Sequence, residues 1–118
     1  MVILHILNTG SFSGAENVVI SIINEFQKRN IENIELIYVS LEGSIRERLE
    51  KEKIKYEPIK KMSVGEIKRV IKKYNPDIIH AHDFTASIIC AVSAQKIPVI
   101  SHIHNNCPWL KKICLKTL

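Results

Sequence analysis

Short apolar runs alternate with longer amphipathic stretches along the whole chain. Val2 to Leu7 is nearly all apolar, the pattern of a strand covered on both faces. Asn8 to Gly14 is a loop of mostly small and polar residues, after which Ala15, Val18, Val19, Ile22, Ile23 and Phe26 recur at helical spacing. A turn over Asn30 to Asn33 leads into a second strand, Ile34 to Leu41. Ser44 and Glu47 have the spacing of a capping box and predict a short charged helix ending near Lys53. Ile54 to Ile59 reads as an edge strand, because Pro58 has no N–H to give to a neighbour. A second capping box, Ser63 with Glu66, opens a helix whose Val64, Ile67, Val70, Ile71 and Tyr74 form one stripe, and Asn75-Pro76 ends it. Ile78 to His82 is a fourth strand. Thr85 or Ser87 then starts a helix, Ala86 to Gln95, that is apolar nearly all round and is expected to be buried. Lys96-Ile97-Pro98 turns the chain into a fifth strand, Val99 to Ile103, and the stretch beyond His104 begins another helix.

The order βαβαβαβαβ predicts an α/β fold: a doubly wound parallel sheet, Rossmann-like, of about five strands with helices on both faces. Right-handed crossovers place Asn8, His82 and His104 along one rim at the strands' carboxyl ends. At the first junction the helix start offers unpaired N–H groups and a positive dipole end to an anion such as phosphate or pyrophosphate. The plainer reading is that a tight strand-to-helix turn simply needs glycine. Gly10 and Gly14 have neither the interval nor the third glycine of the dinucleotide fingerprint, and no Gly-Lys-Ser/Thr follows them. A nicotinamide cofactor and a Walker loop are therefore not expected.

A chain of 118 residues makes one compact domain. No apolar run approaches the roughly 20 residues needed to cross a bilayer, and Val2 to Leu7 lacks a basic lead, so a cytoplasmic location is expected. Cys90, Cys107 and Cys114 are odd in number and lack a CxxC spacing, which reads as reduced thiols. The net charge of +5 gathers between Arg46 and Lys73. Such a face suits peripheral contact with an anionic membrane leaflet, but interleaved glutamates and a general Ile, Lys and Asn bias favour an ordinary solvated face. Aromatic residues are not interleaved with the lysines, so nucleic acid is not an expected partner.

Histidine is distributed less evenly. His80/His82 and His102/His104 form two His-x-His pairs, each at a strand end, where alternate residues share a face. Metal binding is the sharp reading, but no carboxylate or cysteine cluster completes either pair. A rim of hydrogen-bonding histidines is expected, with no metal.

Strand Ile3 to Asn8 followed by Ser13-Gly14-Ala15-Glu16, then Pro76-Asp77-Ile78-Ile79-His80-Ala81-His82, then Pro98 to Asn105, occur in an order and separation that cover nearly the whole chain. In these segments the chain resembles the N-terminal, acceptor-side domain of GT-B glycosyltransferases of family 4. The resemblance implies transfer of a sugar from a nucleotide-sugar donor to a glycan or lipid-linked acceptor, usually with retention, without a metal ion or other cofactor. It makes His104 the catalytic residue, orienting acceptor hydroxyls as neutral imidazole can near pH 7. Ser13, Gly14, Ala15, Glu16, His82, Asp83 and Asn105 are then the substrate-binding set. The family usually has Gly-Gly before Ala-Glu, and Ser13 here replaces the first glycine, which alters how closely backbone can approach a ligand. Family members continue into a second Rossmann-like domain with a pair of glutamates seven residues apart that contact the donor. The chain is accordingly expected to be a partial domain, inactive alone, self-associating or meeting a donor-domain partner chain, and belonging to bacterial surface-polysaccharide synthesis. The alternatives are a subunit of a split glycosyltransferase, a non-catalytic flavodoxin-like binding domain, and a GT-B-type nucleotide-sugar epimerase.

Overall fold

The computed structural model of the protein describes residues 1–11 and 14–103. Its elements are β1 (Val2–Ile6), α1 (Gly14–Lys28), β2 (Glu35–Leu41), α2 (Ile45–Lys51), β3 (Lys55–Ile59), α3 (Val64–Tyr74), β4 (Ile78–Ala81), α4 (Phe84–Ser93) and β5 (Val99–Ser101). All strand pairs are parallel and the order is β3-β2-β1-β4-β5. The chain winds outward from β1 to β3, then crosses back to β4, so the sheet's topological switch point lies between β1 and β4. The expected doubly wound Rossmann-like sheet is the observed fold.

Strand period divides the core in two. Leu4, Ile6, Ile37, Val39, Ile79 and Ala81 face α3 and α4, meeting Ile67, Val70, Ala86 and Cys90. Leu7 and Tyr38 face α1 and α2, meeting Val19, Ile20, Ile23, Ile45 and Leu49. Each fully buried Ile, Leu or Val contributes about 1.5–3 kcal/mol by leaving water. Pro58 lies on β3, an edge strand, as its missing N–H requires.

Local chemistry differs from expectation at several helix ends. Ser63 caps α3 by accepting from the Glu66 N–H at 3.3 Å, while the Glu66 carboxylate turns to the Lys60 N–H at 2.8 Å. The Ser44–Glu47 box does not form. Ser44 is in the right-handed helical region and makes no side-chain cap bond, because loop carbonyls do the work: Gly10 O accepts from the Ile45 N–H at 2.9 Å and Gly43 O from the Arg46 N–H at 3.2 Å. Asp83, rather than Thr85 or Ser87, caps α4. That helix is also not buried all round, since Ile88 is 48% and Val92 62% exposed. Asn30, Lys53, Asn75 and Gln95, one just beyond each helix, take left-handed φ between 46° and 58° in place of glycine. β5 is shorter than its apolar run, and the helix expected beyond His104 falls outside the described residues.

Candidate functional site

At the switch point, two strand-to-helix junctions are tied to each other by one side chain. Asp83 follows β4, and one of its carboxylate oxygens accepts from the Ala86 N–H at 2.7 Å, capping α4. The other accepts from the Asn8 N–H at 2.8 Å and fixes the start of the β1–α1 loop. That loop is held a second time, where the Thr9 hydroxyl donates to Glu16 Oε1 at 2.7 Å. Glu16 is only 3% exposed, on the first turn of α1. Glu16 and Asp83, both expected to contact substrate, thus brace the loop that surrounds the α1 N-terminus. Gly14 opens α1 exposed to solvent, with no atom within 4 Å of the place a Cβ would occupy, and Ala15 beside it is half-buried. Ser13, His104 and Asn105 lie outside the described residues.

Gly10 meets the opposite situation. A Cβ there would come within 2.2 Å of the Leu41 carbonyl oxygen and 2.6 Å of that of Glu42. A Cβ on Gly43 would come within 2.5 Å of the Gly10 carbonyl oxygen. The loops after β1 and β2 therefore touch backbone to backbone, and both glycines are dictated by that approach.

The histidines converge more than their pairs suggested. β1 and β4 are in register with His5 opposite His80, and β4 and β5 with Ala81 opposite Ser101, so His5, His80, His82 and His102 share one face across three adjacent strands. His5 Nδ1 lies 2.9 Å from His82 Nε2, one nitrogen donating and the other accepting. The His80 and His82 rings stack at 4.0 Å between centroids, and His102 stacks on His80 at 5.6 Å. His82 is 1% exposed and His5 3%, whereas His80 is half-buried and His102 exposed. Burial first, and the neighbouring His80 second, pushes the His5 pKa down to about 4, so His5 is neutral near pH 7. His82 therefore sits under the rim, bonded to His5. His5 carries no motif in the sequence; what identifies it is its place on β1, next to β4 in this strand order.

Two clefts open along the same rim. One of about 820 Å³ lies beyond β2 and β3, bordered by Leu41, Pro58, Lys60 and Arg69. A shallower one of about 300 Å³ runs between Thr9, Gly10 and Ser11 of one loop and Glu42 and Gly43 of the other. In the basic stretch, Arg46, Arg48, Lys55, Arg69 and Lys73 are taken up by ion pairs with glutamates. Buried Glu57 joins Arg69 and Lys73. Burial pushes its pKa up, but the bonds from Lys73, Tyr74 and Arg69 prevail and hold it below the usual carboxylate range. No helix among the described residues is long and apolar enough to cross a membrane.

The profile of Glycosyltransferase Family 4 matches residues 12–117. No curated protein matches the chain. Among solved structures, a glycosyltransferase from Rickettsia africae ESF-5 superposes with a TM-score of 0.64 at 20% identity, over 95% of this chain and 32% of that one. MurG of Acinetobacter baumannii superposes with a TM-score of 0.62 at 11% identity, over 87% of this chain and 35% of that one. A UDP-GlcNAc 2-epimerase from Neisseria meningitidis, solved bound to UDP-GlcNAc, gives a TM-score of 0.60 at 20% identity, over 86% of this chain and 32% of that one. At these identities the likeness is one of fold. The chain spans about a third of the length of each of these three proteins.

Proposed function

The chain belongs to glycosyltransferase family 4, and from that premise we propose that it forms the acceptor-side part of an enzyme moving a sugar from a nucleotide-sugar donor to a glycan or lipid-linked acceptor. The observation that carries the reading is the braced junction at the switch point. Asp83 and Glu16 hold the loop after β1, leaving the exposed N-terminus of α1 with open space at Gly14. Such a terminus suits the phosphates of a nucleotide sugar or of a lipid-linked acceptor. Ser13, Gly14, Ala15 and Asn105 are the residues proposed to line the substrate cleft, and Asp83 and Glu16 act there by positioning the loop. Donor contacts come from a further domain or a partner chain. The setting proposed is bacterial surface-polysaccharide synthesis in the cytoplasm, with the lysines outside ion pairs available to the inner membrane leaflet. A nucleotide-sugar epimerase, the class of one structure of similar fold, is the rival reading. The two differ in that a transferase consumes an acceptor.

His104 is the proposed catalytic residue, orienting the acceptor hydroxyl. In an enzyme carrying a donor domain, by fusion or as a partner, His104→Ala should lower turnover roughly a hundredfold or more, the scale of a general acid-base group. His102→Ala, the matched control, should cost less. Unchanged turnover and acceptor affinity in His104→Ala would end the assignment.

A further inference from the structure

Strand register assembles a group of three imidazoles that neither His-x-His pair supplies alone. His5 of β1, His80 of β4 and His82 just beyond β4 each offer a ring nitrogen, and the three nitrogens lie within 4.8 Å of one another. The expectation of no metal rested on each pair lacking a third ligand, and β1 provides one. From this geometry we infer that His5, His80 and His82 form a site for a divalent transition metal of the zinc type.

The dimensions fit. Zinc–imidazole bonds of about 2.0–2.1 Å in tetrahedral geometry hold ligand nitrogens roughly 3.3 Å apart. His5 Nδ1 and His82 Nε2 are already 2.9 Å apart, and an ion replaces their hydrogen bond once both rings turn to aim their lone pairs at it rather than at each other. Binding draws in nitrogens that now lie within 4.8 Å of one another and turns half-buried His80 out of its stack on His82, where the rings lie 4.0 Å apart at 21°, so that both in-plane lone pairs reach one ion. The donor set is all nitrogen, which suits Zn²⁺, Co²⁺, Ni²⁺ or Cu²⁺ and not the oxygen-seeking Mg²⁺ or Ca²⁺. Two ligands are buried, which protects the bonds, while His80 and exposed His102 mark the side from which an ion enters. With three protein ligands the fourth position would be taken by water, which makes the centre an open one.

The test uses the full chain and Co²⁺, whose tetrahedral complexes absorb in the visible. The expected result is one Co²⁺ per chain with tetrahedral absorption, displaced by Zn²⁺, and a rise in melting temperature on adding Zn²⁺. His80→Gln should weaken Co²⁺ binding at least about a hundredfold and abolish the Zn²⁺ shift, with the far-ultraviolet spectrum unchanged. Anomalous scattering from crystals of the unaltered chain soaked in Zn²⁺ gives a reading that needs no variant. A peak within about 2.1 Å of the three imidazole nitrogens is expected. Absence of that peak, absence of binding, or binding and a melting shift that survive His80→Gln, as ligation by His104, Cys107 and Cys114 would give, overturns the site.

Discussion

Gly10 and Gly14 bound the same loop, and their surroundings separate two reasons for having glycine. At Gly10 a methyl group would press on the backbone of Leu41 and Glu42, which cannot swing aside as a side chain would. Gly10→Ala should therefore push the loops after β1 and β2 apart and cost about 1–3 kcal/mol, read as a lower urea midpoint at unchanged slope. Gly14→Ala meets open space at the first position of α1 and should change stability by less than about 0.5 kcal/mol. If that opening is where a ligand's phosphate sits, Gly14→Ala lowers ligand affinity with the fold intact. Equal stability loss in the two variants would contradict the assignment of Gly10 to loop packing. The sequence showed both glycines but not this difference, since the contact joins loops that only the sheet brings together. His5 was illegible for the same reason. A lone histidine in an apolar strand has no local signal, and its partners lie 75 and 77 positions away, through the pairing of β1 with β4.

Among the elements, those ended by strong local chemistry were the legible ones. Ser63 and Asn75 bound α3 as the capping residue and the Asn-Pro pair predict, and Pro58 correctly marked an edge. Where two elements compete for a cap, local reading failed. Ser44 lost its role to the Gly10 and Gly43 carbonyls, and Asp83 took the start of α4 from Thr85 and Ser87 because it also holds Asn8. The double duty of Asp83 has a measurable consequence. Asp83→Ala removes a helix cap worth about 1 kcal/mol and leaves the half-buried Asn8 N–H without its acceptor, a further loss of about 1–3 kcal/mol. The sum, about 2–4 kcal/mol, should appear in urea unfolding. Asp83→Asn, which keeps one acceptor oxygen, should fall between. A loss in Asp83→Ala no larger than that of an ordinary cap would mean that the Asn8 bond contributes nothing and that the β1 and β4 junctions are not braced together.

For the whole molecule, the alternation of apolar and amphipathic runs sufficed for the doubly wound sheet, whereas the catalytic residue implied by resemblance, His104, lies outside the described residues. What the described rim offers a nucleotide sugar can be weighed directly. The exposed helix N-terminus at Gly14 is worth about 0.3–1 kcal/mol to an exposed anion and up to about 2 in a partly buried setting. Among the described residues, Thr9 of the loop and Glu16 of α1 are occupied with each other. Micromolar affinity needs about 8 kcal/mol, several times what that terminus and a few further hydrogen bonds supply. The 118-residue chain alone should accordingly bind a nucleotide sugar more weakly than micromolar by calorimetry, and adding a donor-binding domain should tighten binding severalfold or more. Gly14→Ala should weaken whatever binding the isolated chain shows. Micromolar binding by the chain alone would mean that it holds a complete donor site, and the acceptor-side reading would have to give way to that of a self-sufficient nucleotide-sugar binder.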